Sequence, residues 1–283
     1  MRHVVITPVN NEEAFLPRLI DSMCEQSILP SRWVIVDDKS TDNSARIAKK
    51  AEEDFEWVEY IGTEIDGGRK RGSRIAKLFK IGIDSCESEW KYCSKIDADM
   101  VLPPDYFERI ISKFENDGEL GIASGNCKIK TIFGERVESV AKGHTRGGLK
   151  TYKGECYDII GGVTEEDGWD GIDNVKAEIS GWRTENFPEI MALHQRPTGS
   201  YNGRIRGSFE AGQFAYHMGY FFPFLIARSI FEMKKWPFII RGASMFIGFA
   251  SSKVRGKERF HDVKVLQHIR GRQKRKLGSF WRN

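Results

Sequence analysis

The sequence predicts an α/β fold in which a mostly parallel sheet is flanked by helices and followed by an amphipathic helical extension. Three observations predict it. Short apolar runs alternate with helical patterns through the first two hundred residues, two of those runs end in aspartate clusters, and the composition changes past residue 205. Alternating strand and helix signals are what βαβ units produce, and such sheets bind ligands outside the carboxyl ends of their strands.

His3 to Thr7 reads as a buried strand, after which Asn10 or Asn11 can cap a helix carrying Phe15, Leu16, Leu19, Ile20 and Met23 on one face. Trp33 to Val36 is the second strand and runs into Asp37 and Asp38. Ser40, Thr41 and Asp42 then offer oxygen caps for a helix through Ala45, Ile47, Ala48 and Ala51. Trp57 to Ile61 is a short strand, followed by a glycine-rich basic loop from Asp66 to Gly72 and a helix bearing Ile75, Leu78, Phe79 and Ile83. Tyr92 to Ile96 is the strand that runs into Asp97, Ala98 and Asp99, and Gly121 to Ser124 is a further one. There is no internal repeat or low-complexity linker before residue 200.

With 283 residues, 40% of them apolar, the chain has enough for one large core or for a domain with a substantial appendage. A formal net charge of +4 conceals basic residues crowded into the last thirty positions. Cys24, Cys86, Cys93, Cys127 and Cys156 are scattered, odd in number and free of zinc-type spacing, which fits a reducing cytosol. Met1 and Arg2 lead into His3, Val4, Val5 and Ile6, a run too short and too quickly polar for a signal sequence, so the expected location is cytoplasmic.

Asp97 and Asp99 are two positions apart, so in extended geometry their side chains point the same way and both can reach one divalent cation. Magnesium and manganese take one or two carboxylates plus phosphate oxygens of a ligand. A solvated turn that caps the next helix, helped by Pro103 and Pro104, also accounts for an isolated triplet of this kind. Capping equally explains Thr41 or Asp42 beside Asp37 and Asp38.

Together, Ile6 to Glu13 (ITPVNNEE), Val36 to Asp42 (VDDKSTD) and Asp97 to Asp99 (DAD) resemble the family 2 glycosyltransferases of the GT-A fold. Gly147 to Lys153, a helix ending in Gly161 and Gly162, Gly168 to Asp173 with Lys176, and Leu193 to Arg196 extend the likeness, so that roughly residues 3 to 200 are covered. The resemblance implies a metal-dependent, inverting transfer of a sugar from a nucleotide diphosphate sugar to a hydroxyl. It assigns Asp38 to the base and Thr7, Pro8, Asn10 and Glu12 to the nucleoside pocket. Asp99 becomes the principal metal ligand, Asp97 lies near the ribose or the metal's water shell, and His194 completes the metal shell. The implied cofactor is Mg2+ or Mn2+. Arg71 and Arg74, with Arg69 and Lys70, are candidates for the diphosphate, and Arg196 is suited to a phosphate.

Inverting transfer needs a carboxylate to take the acceptor's proton. Asp170 is the first choice and Asp173 the rival, because the family usually shows Glu then Asp where this chain has Trp169 then Asp170. Both also suit a helix N-terminus. A nucleotidyltransferase also uses metal-binding carboxylates, but it wants a glycine-rich, lysine-bearing loop directly after the first strand, where this chain has Pro8, Asn10 and Asn11. A non-catalytic glycan- or membrane-binding protein with a degenerate core is the other alternative, opposed by intact Asp99 and Asp170.

The organisation expected is a catalytic domain over residues 1–205 and an aromatic, basic extension over 206–283. Phe214 to Ala227 and Trp236 to Ala250 are apolar but shorter than the ~18 residues a membrane span needs. Arg228, Glu232, Lys234, Lys235 and Arg241 interrupt them, and Lys253, Arg255, Lys257, Arg270, Arg272, Lys274, Arg275 and Lys276 follow. This pattern reads as amphipathic helices on an anionic membrane surface, which makes the chain peripheral on the cytoplasmic face and the acceptor a glycan or a lipid-linked precursor. Packing on the catalytic domain or on another subunit is the alternative. Nucleic acid is not an expected partner, since no RNA or DNA module is present.

Overall fold

The structure, a computed structural model, describes residues 2–65, 71–86, 89–131, 134–138, 143–196 and 203–280. The chain forms two compact units, Met1–Arg196 and Pro197–Asn283.

The first unit opens with β1 (His3–Val9), α1 (Leu16–Cys24), β2 (Arg32–Asp38), α2 (Ser44–Asp54), β3 (Val58–Thr63), α3 (Arg71–Asp84) and β4 (Tyr92–Ile96). It continues with β5 (Met100–Val101), α4 (Tyr106–Asn116), β6 (Leu120–Thr131), β7 (Gly134–Val137), β8 (Leu149–Lys153), α5 (Gly154–Ile159), α6 (Trp169–Ile179) and β9 (Arg183–His194). β1 pairs in parallel with β2 and β4, and β2 with β3, so the carboxyl ends of four strands share one edge. Beyond β4 the sheet is mixed. β8 runs antiparallel to β4 and β6, β9 runs parallel to β6, and short β5 closes the edge antiparallel to β9, while β7 pairs with β6. β6 extends to Thr131, well past the predicted Ser124, because its second half has β7 and β9 to pair with.

Helices cover both faces, which is why β1 and β2 read as continuous apolar runs rather than alternating ones. Val5, Val9, Trp33 and Ile35 pack with Leu16 and Leu19 of α1, Ala48 of α2 and Tyr106 to Phe114 of α4. Their neighbours Val4, Ile6, Val34 and Val36 pack with Phe79 and Ile83 of α3, Tyr157 of α5 and Trp169 of α6. Each such aliphatic or aromatic side chain contributes about 1.5–3 kcal/mol when fully buried.

The predicted asparagine caps are corrected. α1 starts at Leu16 with Pro17 in its first turn and no side-chain cap. Asn11, at φ 57°, instead turns its amide oxygen to the Thr41 and Asp42 N–H groups at 2.8 and 3.3 Å. Asp42 serves the start of α2, accepting from Ser44 N–H at 2.9 Å, and also from Glu13 N–H at 3.1 Å. These bonds tie the loop after β1 to the loop after β2 at the carboxyl edge.

The second unit contains α7 (Arg204–His217), α8 (Phe222–Met233), α9 (Ile240–Val254) and α10 (Val263–Phe280) around Ala215, Tyr216, Leu225, Met245 and Phe249. The apolar run 214–227 is not one helix: α7 ends at His217, and Gly219 at φ 54° takes the left-handed conformation that turns the chain. Among the described residues no helix is long and apolar enough to cross a membrane.

Candidate active site

β2 ends in Asp37 and Asp38, both buried. Asp38 pairs through Oδ2 with Arg74 of α3 and accepts from the Ile65 N–H at 3.4 Å. Asp37 accepts from the Ser40 hydroxyl and from the Tyr60 hydroxyl at 3.2 Å. The residues expected at base and diphosphate, Asp38 and Arg74, are therefore partners of each other. Asn10 stands beside them, donating to the Asp38 carbonyl at 2.6 Å. Pro8 is half-buried in β1 opposite Val36. The Thr7 hydroxyl points into the core and accepts from Trp33 Nε1 at 2.9 Å, so its main-chain atoms are what remains for the pocket the resemblance implies. Arg69 and Lys70 lie outside the described residues, as does the Arg71 side chain.

Asp97 and Asp99 follow β4. Asp99 is buried, with Oδ2 accepting from Arg196 Nε at 2.5 Å and facing His194 Nε2 at 3.3 Å. Its Oδ1 is buried without a hydrogen-bond partner among the described residues. The other arm of Arg196 donates to Glu12 Oε1 at 2.5 Å, and Glu12 Oε2 is also buried and unpartnered. Glu12 thus joins the Asp99 network through Arg196. Burial pushes the Glu12 carboxyl up against the pull of Arg196. Burial also works to raise Asp99, yet His194 and Arg196 hold it below its ordinary value.

Behind His194, Nδ1 lies 3.1 Å from Glu138 Oε2, and Cys127 Sγ lies 3.3 Å from the same oxygen. The ligand atoms of Cys127, Glu138 and His194 all fall within 4.8 Å of one another. Burial opposes charge on the imidazole, but Asp99, Cys127 and Glu138 push its pKa up to about 10. The buried Asp99 oxygen without a partner, with the Asp97 carboxylate two residues away in the chain, is chemically suited to a divalent cation.

Asp170 lies in the first turn of α6, one-third exposed, with Oδ1 accepting from Gly171 N–H at 3.0 Å and Oδ2 3.7 Å from His144 Nε2. Asp173 is placed elsewhere. It is fully buried, Oδ2 accepting from the Tyr152 hydroxyl at 2.7 Å and Oδ1 from Thr164 N–H at 3.3 Å. Burial pushes its pKa up to about 6 despite Lys150 and Tyr152. Its carboxyl is enclosed, whereas that of Asp170 is one-third exposed.

Trp169, where the family pattern has glutamate, is buried and stacks on Phe79 at 6.4 Å. Two buried ammonium groups lie over its ring, Lys95 at 5.6 Å and Lys150 at 5.3 Å. The indole face supports charge there that a carboxylate would otherwise neutralise. Lys95 pairs with Asp97, and Lys150 donates to the Asp170 carbonyl at 2.5 Å. Gly147 and Gly148 run past both acids: a Cβ on Gly148 would meet Asp97 Oδ2 at 2.5 Å, and one on Gly147 would meet Asp170 Oδ2 at 3.1 Å.

Lys95, Lys150, Glu138 and Arg146 were not singled out from sequence. Lys95 had a signal, a cation inside a strand read as apolar. Glu138 and Arg146 had none, because they reach His194 and Asn126 only through the pairing of β6.

A family model described as "Glycosyl transferase family 2" matches residues 4–164. No curated protein sequence matches the chain. Among solved structures, S. aureus TarS 1–349 in complex with UDP-GlcNAc is similar at 17% identity and TM-score 0.56, over 76% of this chain and 66% of that one. The mannosyltransferase PcManGT from Pyrobaculum calidifontis in complex with GDP-Man and Mn2+ is similar at 17% identity and TM-score 0.56, over 90% and 76%. GalNAc-T7 with UDP, GalNAc and Mn2+ is similar at 12% identity and TM-score 0.56, over 71% and 45%. At such identities the likeness is one of fold.

Proposed function

Since the chain belongs to glycosyl transferase family 2, we propose that it moves a sugar from a nucleotide diphosphate sugar to a hydroxyl of a glycan or lipid-linked acceptor, with inversion and with Mg2+ or Mn2+. One observation carries the reading: an unpartnered Asp99 oxygen stands beside Asp97 at the carboxyl edge, and accessible Asp170 lies across the Gly147–Gly148 backbone. The neighbours named above with UDP-GlcNAc, or with GDP-Man and Mn2+, support a nucleotide-sugar donor and a divalent cation.

Asp97, Asp99 and His194 would hold the cation, which when bound stabilises the charge of the departing diphosphate. Asp170 accepts the proton of the acceptor hydroxyl as that oxygen bonds to the anomeric carbon and the bond to the diphosphate breaks. Lys150 fixes the main chain of this base, and the Gly171 N–H orients Oδ1, leaving Oδ2 toward the acceptor. Asp38 with Arg74 and Asn10 receives the nucleoside. The chain works at the cytoplasmic face of a membrane with anionic lipid, a reading supported by the exposed apolar side chains of the second unit and by five unbridged cysteines.

The test is a panel of nucleotide sugars assayed for diphosphate release with manganese or magnesium, comparing the parent with Asp99→Ala and Asp170→Asn. The parent turns over with metal and both variants fail. Equal, metal-independent release by all three proteins overturns the mechanism.

A further inference from the structure

We propose that α8, the turn after it and α9 form an anchoring hairpin that enters one leaflet of an anionic bilayer, with Trp236, Phe238 and Ile239 at its tip. The inference rests on the membrane reading above and adds which residues make the contact and how deep it goes.

The second unit leaves an unusual amount of large apolar side chain in solvent. On α8, Phe222, Ile226 and Ile230 recur every fourth residue and are 50%, 40% and 54% exposed. On α9, Ile240, Ile247 and Val254 recur every seventh and are 52%, 57% and 87% exposed. Between the helices Trp236, Phe238 and Ile239 are 64%, 58% and 69% exposed. Two apolar stripes thus converge on an aromatic turn. That turn is fixed rather than loose: Glu232 pairs with Lys235 and with Arg241, each at 2.7 Å, and Ile239 N–H donates to the Met233 carbonyl at 3.0 Å. Glu232 also neutralises two cations beside the tip, which lowers the cost of bringing it into the headgroup layer.

Length sets the depth. α8 has 12 residues and α9 has 15, so at 1.5 Å per residue they span roughly 18 and 22 Å. The hydrocarbon core is about 30 Å thick, so neither helix can cross it, and the hairpin lies inclined in one leaflet with its tip at the boundary between headgroups and hydrocarbon. Tryptophan is the side chain best suited to headgroup level, with an apolar ring and a polar N–H.

Charge selects the occupant. Pro197–Asn283 carries 17 Lys and Arg against 4 Asp and Glu, whereas Met1–Arg196 carries 27 against 36. A second copy of the same surface would set two strongly cationic units against each other. An anionic lipid surface accepts the cations and the apolar stripes together.

The experiment is co-sedimentation of the full chain with phosphatidylcholine vesicles, with and without phosphatidylglycerol, at low and high salt. A triple variant, Trp236→Ser, Phe238→Ser and Ile239→Ser, changes only exposed side chains, and circular dichroism checks that it folds. The parent binds the phosphatidylglycerol vesicles and stays bound at high salt. The triple variant binds at low salt and is released by salt, with partitioning weaker on the order of tenfold. Quenching of tryptophan fluorescence by brominated lipid falls in Trp236→Phe. Equal salt-resistant binding by the triple variant overturns the hairpin while leaving the membrane reading intact, and failure of the parent to bind overturns both. A dimer in light scattering that the triple variant abolishes, without vesicle binding, assigns the surface to a second copy and overturns the proposal.

Discussion

Gly148 approaches Asp97 so closely that a Cβ at this position would sit 2.5 Å from Asp97 Oδ2 and 3.0 Å from Met100 Cε. The Gly148 carbonyl also accepts from the Asp97 N–H at 3.0 Å, so the backbone cannot back away without breaking a sheet bond. The side chain of Asp97 must move instead. Gly148→Ala is expected to weaken Mn2+ binding about tenfold while leaving the melting temperature within a few degrees. Titration of Mn2+ by electron paramagnetic resonance reads this directly, and unchanged affinity removes Asp97 from the metal site.

Lys150 holds the Asp170 carbonyl, and burial lowers its pKa while Asp173 and Asp170 support its charge. Lys150→Met keeps the volume and loses the bond. The expected result is a kcat lower by roughly tenfold to a hundredfold, since a small misplacement of a reacting group costs that much, with the donor KM nearly unchanged. A rise in KM with constant kcat would assign Lys150 to donor binding.

Asp173 titrates inside the protein. Its folded pKa is raised to about 6 by burial from the model-compound value of 3.8, so the folded state holds this proton more tightly than the unfolded chain does. Stability from this group is therefore full below pH 4 and declines as pH rises through 4 to 6. Asp173→Asn removes that decline. Its amide cannot accept from both Tyr152 and Thr164, so the variant is less stable at low pH by about 1 kcal/mol, and the difference from the parent narrows or reverses toward pH 7. Chemical denaturation at pH 4.5, 5.5 and 7 measures it.

Arg74→Ala leaves the enclosed Asp38 carboxylate without its cation. Arg74 is one-third exposed, which moderates the effect, and the expected loss of stability is about 1–3 kcal/mol. Nucleoside diphosphate affinity falls with it. Should binding tighten instead, Arg74 is a plug over Asp38 and not part of the nucleoside site.

How much of this was legible depended on whether a residue's partners are near it in sequence. β1, β2 and β4 were readable because strands buried on both faces are apolar throughout, and their ends were marked by Asp37, Asp38, Asp97 and Asp99. Asp170 was readable as an acid at a helix start. Its difference from Asp173 was not, since three residues of helix carry one acid to the surface and the other against Tyr152 on β8. Asn10 and Asn11 misled for a related reason: local propensity favours them as caps, whereas their partners lie some thirty residues away on the neighbouring loop. Glu138 was silent because only the long β6, paired on both sides, brings it to His194. The pairing of Arg74 with Asp38 likewise joins α3 to β2 across a segment with no fixed spacing.

Lys95 and Lys150 are direct cross-strand partners in the antiparallel pairing of β4 with β8. Like charges in that position oppose strand pairing, and Asp97, Asp173, the Asp170 carbonyl and the Trp169 ring offset them. A slip of β8 by one residue would turn Lys150 to the opposite face, toward Tyr106 and Phe107, and strand an ammonium in hydrocarbon. The correct register is thus the one in which this like-charged pair is tolerated, which ties the alignment of β8 to the position of Lys150 and, through it, of the Asp170 main chain.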